Sequence, residues 1–237
     1  MNRIEDEAAE IARIRSEYNR RRTEIPPNFY SWDRAVNLFF HTQLLRAAVA
    51  ALAGARIFPL VGLRVLDVGC GRGDWLLEFC QWGAEPDKLA GIDLDENRIF
   101  EARRRLPPAD LRVGDARQFP WPDGTYDLVT QFTVFTSILH DRVKRQIAAE
   151  MLRVLTPGGV VLWYDFRYNN PRNPNVRGIE AEEICGLFPG CDVKLRKVTL
   201  APPIARALVP ASWIAALALE KIPWLQTHYL GLIRKAL

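Results

Sequence analysis

Cysteine is scarce in this 237-residue chain. The four present (Cys70, Cys80, Cys185 and Cys191) show neither CxxC spacing nor a dense framework. That excludes a disulfide-stapled scaffold and fits free thiols in a reducing compartment. A signal core is also lacking: MNRIEDEAAEIARIRSEY is charged throughout, so secretion is not expected and a cytoplasmic location is. Long apolar runs are missing as well. The most apolar segment, near residues 201–219, is broken by Arg206 and Pro210, so no bilayer span is expected. Charge of one sign is not in large excess. A net +4 with scattered Lys and Arg gives no basic stripe, and no nucleic-acid partner is expected. No metal-ligand set, internal repeat or low-complexity tract stands out.

What is present is a chain about half apolar, long enough to bury a real core as one α/β domain with decorations. Ile4, Ala8, Ile11, Ile14 and Tyr18 recur at helical spacing, Pro26-Pro27 interrupts, and a second helical pattern runs over about 32–55. Short β-branched runs then alternate with helical patterns: LRVLDV, DWLLEFCQW, KLAGIDL, ENRIFEARRRL, DLRVGD, YDLVTQF, RQIAAEMLRVL, GGVVLWYDF. This predicts βαβ units and a doubly wound parallel sheet with helices on both faces. A loop (RYNNPRNPNVRG), a helix near 180–187 and a strand near 192–199 follow. A Pro-punctuated helical insertion over about 203–223 precedes a last strand, THYLGLIRK. The expected division is a helical extension or lid, 1–55, and a ligand-binding domain, 56–237.

The stretch VLDVGCGRGDW places a glycine-rich turn between a strand and a helix, where backbone can approach a ligand. A dinucleotide fingerprint requires glycine at position 74, and Asp74 stands there; no phosphate-binding GxxxxGK[ST] loop occurs either. Asp67 and Asp74 would repel a pyrophosphate but attract a cation. S-adenosylmethionine (SAM), with an ammonium, a sulfonium and no phosphate, suits such acids, whereas an NAD-dependent oxidoreductase is disfavoured. Asp93 in GIDLDE ends the next strand, where a carboxylate can accept ribose hydroxyls. Asp115 in VGDA ends the third, placed to accept an adenine amino group beside Ala116.

VLDVGCGRGD, GIDLDE, VGDA, WPDGTYDLVTQF and MLRVLTPGGVVL, in this order, resemble the successive motifs of class I SAM-dependent methyltransferases over about residues 62–166. The resemblance implies a Rossmann-like, seven-stranded, mostly parallel sheet whose last strand is antiparallel. It also implies a SAM cofactor, released as S-adenosylhomocysteine. Asp67, Gly69, Cys70, Gly71 and Gly73 would surround the methionine portion, Asp93 would hold the ribose, and Leu94, Asp115 and Ala116 would frame the adenine. Gln131 and Phe132 would face the methyl group.

Acceptor-facing residues are sought beyond the carboxyl ends of the strands, where ligands bind in open α/β sheets. Asp165 is the first candidate base, and His140 in TSILHD the second. Tyr164, Arg167, Tyr168 and Asn169 suit an oxygen-rich acceptor, and Tyr30 and Trp32 a lid. The leading expectation is O-methylation of a natural-product, sugar or phenolic hydroxyl on a small molecule. Quinone or lipid C-methylation and a catalytically silent SAM-binding scaffold are the alternatives. The 203–223 insertion is expected to complete the core or a dimer contact. Its alternative roles are to roof an apolar acceptor pocket or touch a membrane to reach a lipid-linked substrate. Monomer and homodimer both remain open.

Overall fold

Strands and helices alternate from residue 65 onward and wind into one sheet. The computed structural model describes residues 3–26, 29, 31–170 and 173–236, so the expectation for Tyr30 lies outside the described residues. Strands β1 (Val65–Val68), β2 (Leu89–Asp93), β3 (Asp110–Val113), β4 (Tyr126–Phe132), β5 (Leu155–Phe166), β6 (Asp192–Leu200) and β7 (Gln226–Arg234) lie in the order β3-β2-β1-β4-β5-β7-β6. β1 to β5 are parallel, and β7 runs antiparallel between β5 and β6. β1 and β2 are buried at every position, without alternation, because helices cover both sheet faces. β1 pairs with β2 on one side and β4 on the other, so strand order reverses there and opens a crevice at the carboxyl edge.

Helices α3 (Asp74–Gln81) and α4 (Glu96–Arg105) form one core with the sheet, and α5 (Asp141–Val154) and α6 (Ala181–Leu187) form another on the opposite face. Asp95 caps α4 by accepting from Asn97 N and Arg98 N, fixing its start directly after β2.

The N-terminal extension is two helices with different tasks. α1 (Arg3–Glu24) lies across the carboxyl edge of the sheet, whereas α2 (Ala35–Gly54) sinks Leu44, Ala48 and Leu52 into the α3–α4 core. α2 also corrects the expectation of no span: its 20 residues are long and apolar enough to cross a membrane by length and composition. The apolarity has a use within the fold, since Phe39 nucleates a third core with Leu200, Ala205, Val209 and Ala216. Two short helices, α7 (Pro202–Leu208) and α8 (Trp213–Leu219), make up the insertion, and Trp213 meets Phe39 edge-on at 5.2 Å. The insertion therefore completes a core over α2.

Truncating the fully buried Phe39 to Ala should lower unfolding free energy by about 3–5 kcal/mol. Ile214→Ala, at a position 80 % exposed on the same insertion, should change it by less than about 0.5 kcal/mol in urea titrations.

Candidate cofactor site

The glycine loop between β1 and α3 is held by its neighbour strand. Gly69 N and Cys70 N both donate to Ile92 O, at 2.8 and 3.1 Å. Gly71 N donates to Asp93 Oδ2 at 2.9 Å, and Asp95 N to Asp93 Oδ1 at 2.9 Å. Gly69 has φ +71°, and a Cβ there would stand 2.5 Å from Val134 Cγ2, so glycine is required on two counts. Gly73 leads into α3 from the left-handed region. The Cys70 side chain turns from the loop into the core against Gly91, where burial pushes its thiol pKa up and makes it a poor nucleophile.

Beneath the loop, Asp67 is 2 % exposed, and its Oδ1 accepts from Thr130 Oγ1 at 2.7 Å. It has no ion-pair partner among the described residues. Burial is the main reason its pKa is pushed up to about 7; the Thr130 hydrogen bond opposes this and repulsion from Asp93 adds to it. Asp93 is likewise raised, by burial above all.

Gly69, Asp93, Leu94, Asp115 and Ala116 line one cleft with Val68 and Ile92. Gln131 does not: its buried amide accepts from Val134 N and donates to Tyr164 O, so it shapes the turn after β4. Asp74 is a second correction. It begins α3, points away from the loop and binds Arg105 Nη1 at 2.5 Å on the surface, so it offers no charge to a ligand in the cleft. Asp115 accepts from Arg117 N, Nε and Nη2 at 2.9, 2.8 and 2.7 Å.

α1 closes this cleft. Ile11, Ile14 and Tyr18 line it, Tyr18 is close enough to Asp93 for the carboxylate to help raise the phenol pKa after burial, and Arg98 stacks over the Tyr18 ring at 4.8 Å. The space left is about 50 Å³, against roughly 300–1,000 Å³ for small-molecule pockets. Three buried glutamates fasten the helix. Glu7 pairs with Arg117 and Arg142, Glu10 accepts from Leu139 N at 2.5 Å and His140 N at 3.3 Å, and Glu17 accepts from Asn175 Nδ2 at 2.9 Å. Arg13 pairs with Glu10 and donates to Ser137 O at 2.6 Å. Burial works against charge on Glu10, but Arg13 and the two N–H groups outweigh it and hold the carboxyl below its ordinary range.

The candidate bases serve structure instead. Asp165 accepts from Phe135 N, Thr136 N, Thr136 Oγ1 and Phe166 N. These four donors fill about the four lone-pair sites of a carboxylate, so Asp165 is not poised as a base even though burial pushes its pKa up to about 6. His140 precedes α5, donates its N–H to Glu10, and holds a buried Nδ1 with no partner among the described residues. Tyr164 is buried with its hydroxyl on Thr199 Oγ1, and Asn169 accepts from Gly178 N. Arg167 packs between the Tyr168 and Tyr229 rings.

An aromatic wall was not foreseen. Phe132 stacks on Trp75 at 4.0 Å and 8°, Trp75 adjoins His41 at 5.9 Å, and the exposed Trp32 meets His41 edge-on at 4.7 Å. The wall continues through Tyr164, 6.3 Å from Phe132, to His228, which stacks on Tyr164 at 4.6 Å and touches Phe166 at 3.9 Å. Burial drives the His228 pKa down to about 3, so its imidazole is neutral. The sequence marks Trp32, Phe132 and Tyr164 as separate site residues; their union in one row with His41, Trp75 and His228 rests on partners too far along the chain for spacing to reveal.

A seven-stranded sheet with this switch point, a glycine loop pinned by an acid on β2, and a buried unpaired carboxylate beneath the loop define a SAM-binding methyltransferase fold. Comparison with known proteins agrees. A methyltransferase-domain family model matches residues 65–159. A probable S-adenosylmethionine-dependent methyltransferase of Mycolicibacterium smegmatis is 28 % identical over 182 residues, 64 % of this chain and 67 % of that protein. A demethylmenaquinone methyltransferase of Listeria welshimeri is 31 % identical over 122 residues, 49 % of this chain and 48 % of that protein, so the chain aligns with about half the length of such relatives. The N-methyltransferase NodS from Bradyrhizobium japonicum, solved with S-adenosyl-L-homocysteine, superposes with a TM-score of 0.66 at 16 % identity, covering 94 % of this chain and 98 % of that one. Residues 65–159 match a methyltransferase domain, and the chain has the fold of class I SAM-dependent methyltransferases. Its residues fit that cofactor: Asp67 offers a buried carboxylate free of ion pairs to a cationic ligand, Asp93 can accept hydroxyls, and Leu94 and Ala116 give apolar contacts.

A cationic ligand favours ionised Asp67, so the carboxylate must shed its proton to bind it. SAM affinity measured by calorimetry should be flat above about pH 8 and weaken by about tenfold per pH unit well below 7. Asp67→Asn should abolish that dependence, and Asp93→Ala should weaken SAM binding by about 10- to 100-fold at pH 8.

Proposed function

We propose that this methyltransferase methylates a flat, hydroxylated aromatic acceptor, a phenol or quinol, held against the aromatic wall near the end of β4. The carrying observation is the stacked pair Trp75–Phe132, extended by His41 and Trp32 on one side and Tyr164 and His228 on the other. Each well-placed ring contact supplies about 0.5–1.5 kcal/mol beyond area burial and favours planar partners. SAM supplies a methyl group already activated by the sulfonium, and the chain's residues bind, align and exclude water. Asp67 and Thr130 fix the charge beneath the loop, Asp93 orients the ribose, and the turn held by Asp165 walls the cleft. Phenol O-methylation is the first reading. Quinol C-methylation is favoured by the names of the demethylmenaquinone methyltransferases similar to this chain, and by Ile214 and Trp224, 80 % and 78 % exposed, which suit a lipid-linked acceptor.

We further assign α1 as a lid. With only about 50 Å³ left beneath it, α1 must swing away for the cofactor to enter. Glu10, with its lowered pKa, contributes stability to the closed form that is complete above the ordinary glutamate value of 4.5 and is lost as pH falls through the lowered one.

Trp32→Ala, at an exposed ring, should raise the KM for phenol or quinol acceptors by about 3- to 10-fold and leave SAM affinity unchanged. Equal turnover of sugar and phenol acceptors by the native enzyme would refute the acceptor class. Glu10→Gln should speed SAM association about tenfold in stopped-flow fluorescence, since it removes charge-assisted bonds that hold the lid. An unchanged association rate would argue against the lid.

A further inference from the structure

A second cavity lies on the far side of the sheet from the cofactor cleft, at the amino-terminal edge of the parallel strands. It is a groove of about 490 Å³ between the last turns of α2 and strands β5, β6 and β7. The gap exists because α2 presents Ala50, Ala51 and Gly54 there, too short to reach the sheet. Leu230 and Leu232 supply an apolar floor.

Its polar lining is mainly cationic, four cations against the single acid Asp192. Register pairs Lys194 with Leu232 and Arg196 with Leu230, so β6 turns these cations toward the same face as the floor, while Arg234 and Arg56 close the end. Lys194 is answered by Asp192 at 3.1 Å. Among the described residues no carboxylate pairs with the three arginines. Arg234 donates to Gly158 O and Ala55 O, and Arg196 to Ala47 O.

Two ordinary explanations fall short. Inward charges on an edge strand discourage edge pairing, but that task requires no groove. Cations also suit a helix C-terminus, yet Arg234 already serves the α2 carbonyl end. Arg56 is the telling residue. It occupies the position after the α2 cap at φ +60°, within a Schellman pair (Ile57 N to Leu52 O, Arg56 N to Ala53 O) where glycine is the usual choice. A strained arginine is kept where glycine would relax the backbone, and it lines the groove.

We propose that this groove is a second ligand site, taking an anionic amphiphile: a phosphate monoester on an apolar body, gripped by Arg56 and Arg196 with its chain along Leu230 and Leu232. Guanidinium forks match phosphate oxygens in pairs, and the volume is that of a small-molecule pocket. The site is independent of the acceptor assigned above.

Calorimetry on the full chain with decyl phosphate below its micellar concentration should show one saturable site. Inorganic phosphate should bind at least tenfold more weakly, and decyltrimethylammonium should not bind. Arg56→Gly should keep or raise the melting temperature, since it relieves the left-handed strain, and combined with Arg196→Gln should weaken decyl phosphate binding at least tenfold. SAM affinity should be unchanged in the double variant. Co-sedimentation with phosphatidic acid vesicles that is lost in the double variant would assign the source as a lipid headgroup, and monomer binding alone a soluble phosphate ester. No saturable decyl phosphate binding, equal binding by inorganic phosphate or decyltrimethylammonium, or undiminished binding by the double variant would overturn the site.

Discussion

The Asp165 carboxylate organises the mouth of this molecule. By accepting two N–H groups and a hydroxyl from the turn after β4, and one N–H from its own strand, it ties that turn to β5. The turn in turn supplies Val134, Ser137 and Ile138 to the cleft wall. It also offers Ser137 O and Leu139 N, the two groups that Arg13 and Glu10 of α1 grasp. A buried acid normally costs several kcal/mol unless its lone pairs are filled. Here the filling fixes the cleft wall and the docking points for α1.

The strands, their succession along the chain and the acids near their ends were legible because each is encoded locally. The sheet's seven-stranded form with an antiparallel last strand came only from the family resemblance. Asp67, Asp93 and Asp115 occur at or just beyond the ends of β1, β2 and β3, and strand ends can be located from a short window of sequence. Asp74 was misjudged for a related reason. Spacing places it in the loop's neighbourhood but says nothing of direction, and Arg105, thirty-one residues on, draws it to the surface. Asp165 has the right address for a base, but its occupied lone pairs become visible only when residues 135 and 136 are brought against it.

What the sequence conceals is long-range by nature. Glu7, Glu10 and Glu17 read as the polar face of an amphipathic helix, yet they are buried on partners more than a hundred residues away. Trp75 and His228 come from α3 and β7 and belong to one row of rings only because the strands between them set Phe132 and Tyr164 side by side. The apolarity of α2 likewise looks membrane-like until the insertion after β6 covers Phe39.

One guanidinium carries a further consequence. Arg117 holds Asp115 in the cleft wall and reaches Glu7 of α1 with Nη1 at 3.1 Å. A ligand that reorients Asp115 therefore perturbs the grip on α1, and undocking α1 perturbs Asp115. Thermodynamic reciprocity requires the two effects to be equal in free energy. Arg117 is thus one of the links, beside Arg13 on Ser137 and Tyr18 near Asp93, through which the position of α1 and the geometry of the cleft depend on each other.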